Sequence, residues 1–160
     1  MQKALIIDDE RLARNELKKL LLEFPEIEVI GEAANAAEGL EKIENLSPDL
    51  IFLDIQMPGK SGFELLDTLE YMPEVIFVTA YDEYALKAFE VNALDYLLKP
   101  IREERFRKAI EKVRDKENLH TSSHEKEERK IFIKDGEKCF FILLNDIYLI
   151  ESLENYTRLW

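Results

Sequence analysis

Short apolar runs, each ending in polar residues and each followed by a segment of helical period, constrain this chain more than any other feature. Ala4–Ile7 runs into Asp8-Asp9-Glu10, and Leu50–Leu53 runs into Asp54 and then Met57-Pro58-Gly59. Val75–Val78 runs into Thr79-Ala80, and Tyr96–Leu98 runs into Lys99-Pro100. An apolar run without polar alternation reads as a strand buried on both faces. Glu28–Ala33 is a shorter, mixed run that suits a sheet edge.

The intervening segments carry helix signals. Ala13, Leu17, Leu20, Leu21 and Phe24 recur at helical spacing before Pro25. Asn35 stands where it caps a second helix, with Glu38 at the third position and Ala36, Leu40 and Ile43 facing inward. Ser61 and Glu64 have the spacing of a capping box ahead of Leu65, Leu66 and Leu69. The segment Glu83–Glu90 turns little more than Ala85, Ala88 and Phe89 inward, so it is expected to be the most mobile helix. The last helix presents Phe106, Ala109, Ile110 and Val113. Such alternation implies a parallel sheet with helices on both faces, and right-handed crossovers make 2-1-3-4-5 a common strand order at this size.

Composition narrows the function classes. The chain of 160 residues carries a net charge of −12. The excess acid lies in residues 1–128, because residues 129–160 hold five Lys/Arg against five Asp/Glu. An acidic body attracts cations and basic partners and does not hold nucleic acid by general attraction. The sequence holds no apolar stretch of membrane-spanning length, and the opening apolar run is too short for a signal peptide. The single cysteine, Cys139, excludes an intramolecular disulfide and fits a reducing cytoplasm; it reads as a small strand residue.

Past the last helix the pattern changes. Asp115–Glu128 is almost wholly polar and reads as a helix end passing into a linker, with His120 and His124 as solvated residues and not a metal pair. From Lys130 the period becomes two. Ile131–Ile133 and Phe140–Leu144 flank Asp135-Gly136, a hairpin signal, and Asn145-Asp146 turns into Ile147–Leu153.

In a 2-1-3-4-5 order the ends of the first, third, fourth and fifth strands are neighbours. Asp8, Asp9, Asp54, Thr79 and Lys99 would then share one crevice. Asp54 alone would be a strand-end residue capping a turn; the other residues aimed at the same spot overturn that reading. Three carboxylates repel one another and call for a cation, and oxygen-only ligation suits Mg²⁺. Lys99 offers a point charge and Thr79 a hydroxyl for phosphate oxygens. The set describes a carboxylate nucleophile beside a metal and a phosphoryl clamp. No glycine-rich phosphate loop accompanies it, so a nucleotide is not the expected donor.

These residues carry a resemblance. Asp8-Asp9, the DIQMPGKSG stretch at Asp54, Thr79-Ala80 and Tyr96-Leu97-Leu98-Lys99-Pro100 make residues 1–118 similar to the receiver domain of a two-component response regulator. Residues 119–129 are then the linker. Residues 130–160, with IESLENYTRLW, resemble the opening of a LytTR-type DNA-binding domain, as in LytR/AlgR-family transcription regulators. The phrase TAYDEYALKAFEVNALDYLLKPI resembles that family as well.

The resemblance implies a flavodoxin-like α/β fold with a short β-rich continuation. It makes Asp54 the phosphoacceptor for a sensor histidine kinase. Asp9, Asp54 and the Gln56 carbonyl would hold Mg²⁺ directly, and Asp8 mostly through water. Lys99 would pair with the phosphate across a cis bond to Pro100, Thr79 would swing to the phosphoryl group, and Tyr96 would turn inward as the switch aromatic. The output would be DNA binding in transcription regulation. The β-rich segment covers only part of such a domain and by itself is not expected to bind DNA. A homodimer is expected through the face of helix four, strand five and helix five, with Lys87, Glu90, Asp95, Arg102 and Arg105 as candidates for cross-subunit ion pairs. The unpaired edges of the β segment offer a second dimer contact. The protein is expected to act as a cytoplasmic switch and not as a turnover enzyme. Two other readings compete: a Mg²⁺-dependent phosphatase using Asp54 or Asp8 as transient nucleophile, which lacks a visible acid/base and substrate cap, and a receiver serving only as a scaffold.

Overall fold

The computed structural model describes residues 1–122 and the strand segments 130–135, 138–143, 150–153 and 156–159, with side chains described through residue 117. Five parallel strands, β1 (Gln2–Ile7), β2 (Ile27–Ala33), β3 (Leu50–Leu53), β4 (Glu74–Thr79) and β5 (Asp95–Leu98), form a sheet of order β2-β1-β3-β4-β5. Helices α1 (Arg11–Leu21), α2 (Ala36–Leu46), α3 (Gly62–Leu66), α4 (Ala85–Glu90) and α5 (Glu103–Ser122) alternate with them. This is the flavodoxin-like arrangement that the alternating pattern predicts.

The apolar runs work because successive strand residues face opposite sides. Leu5, Ile7, Ile51, Leu53, Val75 and Phe77 pack into one core layer with Ile43, Phe63, Leu65 and Val91. Ala4, Ile6, Leu50, Phe52, Ile76 and Val78 pack into the other with Leu17, Leu21, Phe106 and Ile110. A run with no polar member is therefore required at each central strand. At roughly 25 cal/mol per Å² of apolar surface, a wholly buried Leu or Phe contributes about 2 kcal/mol.

Local signals set the starts of α2 and α3. The Asn35 side chain accepts from the Glu38 N–H at 2.9 Å. The capping box forms as read: Ser61 Oγ accepts from the Glu64 N–H at 3.2 Å, and Glu64 accepts from the Ser61 N–H at 2.8 Å. α1 ends at Leu21, short of Phe24, which is nonetheless buried beside Phe106 with ring centroids 5.7 Å apart.

Two expectations need correction. α3 stops at Leu66, before Leu69, because Thr68 and Leu69 turn their N–H groups to carbonyls three residues back, and the Thr68 hydroxyl takes the Leu65 carbonyl at 2.7 Å. In α4 the inward residues are not Ala85 and Phe89. Ala88 is buried, whereas Phe89 is 80% exposed. Tyr84, Ala88 and Val91 fill the space against the sheet, and a helix this short leaves its inward face undetermined by period alone. α5 runs on past Asp115 to Ser122.

Two antiparallel pairs follow: β6 (Lys130–Asp135) with β7 (Lys138–Leu143), and β8 (Ile150–Leu153) with β9 (Tyr156–Leu159). The first is the hairpin read around Asp135-Gly136, with Asp135 opposite Lys138. The second pair adds a strand that the pattern did not reveal. The turn at Gly136, the Asn145-Asp146 turn, residues 123–129 with His124, and the side chains of His120 and Cys139 lie outside the described residues. Among the described residues no helix is long and apolar enough to cross a membrane.

Candidate functional site

Strand register brings the site together. Ile7 is level with Leu53, Leu53 with Phe77, and Thr79 with Leu98. The residues that follow, Asp8, Asp54 and Lys99, therefore emerge on one edge beside Thr79. Backbone bonds continue the ladder past the strand ends: Asp8 N–H to Ala33 O at 3.0 Å, Asp54 N–H to Ile7 O at 2.9 Å and Lys99 N–H to Thr79 O at 2.8 Å. Ligands of open parallel sheets gather at this carboxyl edge.

One carboxylate oxygen from each of Asp8, Asp9 and Asp54 lies within 4.8 Å of the other two. Asp8 and Asp54 are buried and Asp9 is exposed. Lys99 Nζ is 2.8 Å from Asp54 Oδ2, 2.8 Å from Asp8 Oδ2 and 3.2 Å from Glu10 Oε2. The Asp8 contact is an ion pair by distance, yet no well-directed hydrogen bond reaches Asp8 Oδ2. Thr79 is wholly buried, and its hydroxyl has no hydrogen-bond partner. An unpaired buried hydroxyl costs free energy, so its retention beside the acids is notable chemically.

Charge state follows from burial and from these contacts. Burial pushes the Asp8 carboxyl above its ordinary value of 3.8, and Lys99 only partly opposes this. Burial works against the Lys99 charge, but the Asp54 and Asp8 carboxylates outweigh it and hold its pKa above the ordinary lysine value. Three close oxygen donors with a single ammonium among them suit a hard, oxygen-seeking cation such as Mg²⁺.

The remaining site residues line the mouth. The Gln56 N–H donates to Asp54 Oδ1 at 3.3 Å, and its side-chain amide donates to the Tyr84 hydroxyl at 3.1 Å. Tyr96 is half-buried against Phe77, with ring centroids 6.5 Å apart, and its hydroxyl donates to the Tyr81 carbonyl. Burial, followed by the charge of Asp82, pushes the Tyr96 hydroxyl up to about 12. The bond from Lys99 to Pro100 is cis, as the resemblance implies.

Two features escaped the sequence reading. Tyr84 looks like any aromatic flanking a helix, and Arg14 looks like any solvated arginine of an amphipathic helix. Each gains its contact only from the fold. Conversely, two residues read as candidates for cross-subunit pairs are occupied within the chain. Arg105 holds Asp95 through two bonds of 2.6 Å, and Lys112 adds a third contact at 3.0 Å. Asp95 is buried, and within the chain the pair fastens β5 to α5.

The molecule is thus an open α/β sheet with an acidic pocket at its carboxyl edge. Residues 4–111 match the family model of the response regulator receiver domain, and the chain belongs to that family. An uncharacterized response regulatory protein of Vibrio cholerae is 63% identical over 115 residues, covering 71% of this chain and 48% of that protein. The transcriptional regulatory protein BtsR of Escherichia coli is 42% identical over 158 residues, covering 95% of this chain and 66% of BtsR. The chain therefore spans about half the length of its Vibrio relative and about two thirds of BtsR. Among solved structures, the response regulatory domain of mrkE from Klebsiella pneumoniae superposes with a TM-score of 0.67 at 32% identity, covering 73% of this chain and 98% of that one. The receiver domain of AraT from Geobacillus stearothermophilus also gives 0.67, at 34% identity, covering 75% and 98%.

Proposed function

We propose that Asp54 is the phosphoacceptor of a two-component switch. The observation that carries this reading is the Asp54 carboxylate itself, buried at the end of β3, 2.8 Å from Lys99 Nζ and clustered with Asp8 and Asp9. In the reaction, an Asp54 carboxylate oxygen attacks the phosphorus of a phosphohistidine. The P–N bond breaks, the imidazole leaves with a proton, and an aspartyl phosphate forms. Asp9, Asp54 and the Gln56 carbonyl would hold Mg²⁺ directly, with Asp8 acting through water, and the bound ion supplies positive charge against the phosphoryl oxygens. Lys99 exchanges its contact with the Asp54 carboxylate for one with a phosphoryl oxygen. Thr79 gains in that state the partner its hydroxyl lacks here.

The added group brings about −1.5 to −2 charges and three acceptor oxygens. Lys99 and Thr79 contact it only after transfer, which gives a differential free energy for shifting the conformational population. Tyr96 then turns inward as Thr79 moves. The consequence is read on the face of α4, β5 and α5, where Leu86 (72% exposed), Phe89 and Leu98 leave apolar surface uncovered. A homodimer forms there, and Asp95 with Arg105 stays within each protomer.

The donor is a sensor histidine kinase, the setting is cytoplasmic, and the output is transcription regulation. The similarity to BtsR across 95% of this chain supports that output. Residues 130–160 are the opening of a LytTR-type DNA-binding domain, and DNA binding belongs to the full-length protein. The chain works as a switch and not as a turnover enzyme.

Intact mass after incubation with acetyl phosphate and Mg²⁺ tests the site. One phosphoryl adduct that requires Mg²⁺ and is lost in Asp54→Asn supports it. No adduct under any condition leaves a scaffold, and an adduct retained in the variant assigns a different carboxylate.

A further inference from the structure

The metal-facing acids sit on a loop that is fastened from behind. Arg14, in the first turn of α1, is largely buried, with 11% of its side chain exposed. Its Nη1 donates to the Asp8 carbonyl at 2.7 Å and to the Asp9 carbonyl at 3.3 Å. Its Nε lies 3.6 Å from Glu32 Oε2 on β2, and Glu32 is itself held by Lys18 at 2.8 Å. One guanidinium thus holds the backbone of both acids by hydrogen bonds and faces Glu32 on the neighbouring strand as an ion pair by distance, with no hydrogen bond from Nε.

The loop needs this tether. Glu10, the residue before α1, makes no side-chain capping bond. The exposed Asp9 carboxylate accepts no hydrogen bond among the described residues, so its position depends on its backbone. Asp8 has the Ala33 carbonyl on its N–H and the Glu10 N–H on its Oδ1, whereas its own carbonyl is held by Arg14.

We propose that Arg14 is a positioning residue, which fixes the Asp8–Asp9 backbone so that both carboxylates present oxygens to a divalent cation. The inference rests on the reading of the acidic pocket as a Mg²⁺ site. Its sign distinguishes it from a plain charge effect. A cation behind the pocket repels a dication, so removing that charge alone would tighten metal binding. Removing a tether loosens it. Groups that orient metal ligands from behind typically matter by about 10- to 100-fold in affinity.

The experiment is a calorimetric titration of the full chain with MgCl₂, beside thermal melting in EDTA, for the unaltered protein, Arg14→Met and Arg14→Lys. The expected result is one Mg²⁺ site in the unaltered protein, weakened about 10-fold in Arg14→Met and less in Arg14→Lys, which keeps the charge and one donor. Melting in EDTA should stay within about 2 °C for Arg14→Lys, separating positioning from loss of fold. If Arg14→Met does not fold, Arg14→Lys decides alone by the same criterion. Equal or tighter binding in the folded variants would overturn the proposal. No Mg²⁺ binding by the unaltered protein would instead overturn the reading of the pocket, and the proposal with it.

Discussion

Lys99 Nζ lies midway in a bridge between Asp54 Oδ2 and Asp8 Oδ2, 2.8 Å from each. One ammonium thereby offsets two buried carboxylates that would otherwise repel each other across the pocket. Replacing it with Lys99→Met leaves both acids without that partner. The expected loss is about 2 kcal/mol, typical of hydrogen bonds to charged groups, or about 5 °C in melting temperature without divalent ion. Mg²⁺ supplies a substitute charge, so adding it should narrow the gap between the two proteins. A gap unchanged by Mg²⁺ would contradict this account.

Asp8 makes the fold sensitive to pH in an unusual direction. Burial raises its folded pKa above 3.8, so the folded chain binds the proton more tightly than the unfolded chain. Stability therefore falls as pH rises from 3.8 through the higher folded value, and the penalty is complete only above that value. Asp8→Asn should melt higher than the unaltered protein at pH 7 in EDTA. The advantage should fade as the pH is lowered below 4, and the variant should lose stabilisation by Mg²⁺. Melting curves at a series of pH values read all three effects.

Asp95 behaves oppositely. Burial alone would raise its pKa, but the Arg105 fork, the Tyr96 N–H and Lys112 together hold it below 3.8. This contribution is present above pH 3.8 and is lost as the pH falls through the lower folded value. Asp95→Asn should cost about 1.5 kcal/mol at pH 7 in urea unfolding, a figure kept low because Arg105 is partly exposed to solvent. The difference should shrink under strongly acid conditions. An equal deficit at every pH would assign the loss to packing.

Two glycines after Asp54, Gly59 on the loop and Gly62 opening α3, should respond very differently to alanine. A Cβ on Gly62 would collide with the Asp54 carbonyl oxygen and lie 3.1 Å from Leu53 Cγ, and its N–H donates to the Ile55 carbonyl at 2.8 Å. Gly59 has a φ of +89° but open space around it. Gly59→Ala should therefore cost only the backbone strain, about 1–2 kcal/mol. Gly62→Ala should cost more and should also slow phosphoryl uptake, because relief of the clash moves Asp54. Urea unfolding and the rate of adduct formation measure the two effects separately.

Phe89 supports no core, since it is 80% exposed. Phe89→Glu should leave the melting temperature within about 1 °C, as surface changes usually do. If the α4–β5–α5 face forms the dimer, the same variant should remain monomeric in sedimentation when beryllium fluoride stands in for the phosphoryl group. A dimer that persists would place the contact elsewhere.

Much of the pocket was readable because its residues terminate recognisable strands. Asp8, Asp54, Thr79 and Lys99 each follow an apolar run, and a parallel sheet in the order 2-1-3-4-5 makes those ends neighbours. What was not readable concerns residues whose partners lie far away in sequence. Nothing near Asp95 announces Arg105 and Lys112, and nothing near Gln56 announces Tyr84. The six residues of α4 carry too little period to say that Ala88 faces the sheet and Phe89 faces away.

By itself the sequence determined the buried central strands, the mixed edge strand at Glu28–Ala33, the Asn35 and Ser61 caps and the polar residues at the strand ends. Those depend on side-chain alternation and on bonds spanning three or four residues, and local chemistry fixes both. Only the tertiary structure decided that Lys99 joins Asp8 to Asp54, that Arg14 holds the carbonyls of Asp8 and Asp9, and that Asp95 is spent within its own chain. These contacts depend on strand register and on the rotation of each helix over the sheet. Both are set when the two core layers pack on the sheet, and no short stretch of chain carries that information.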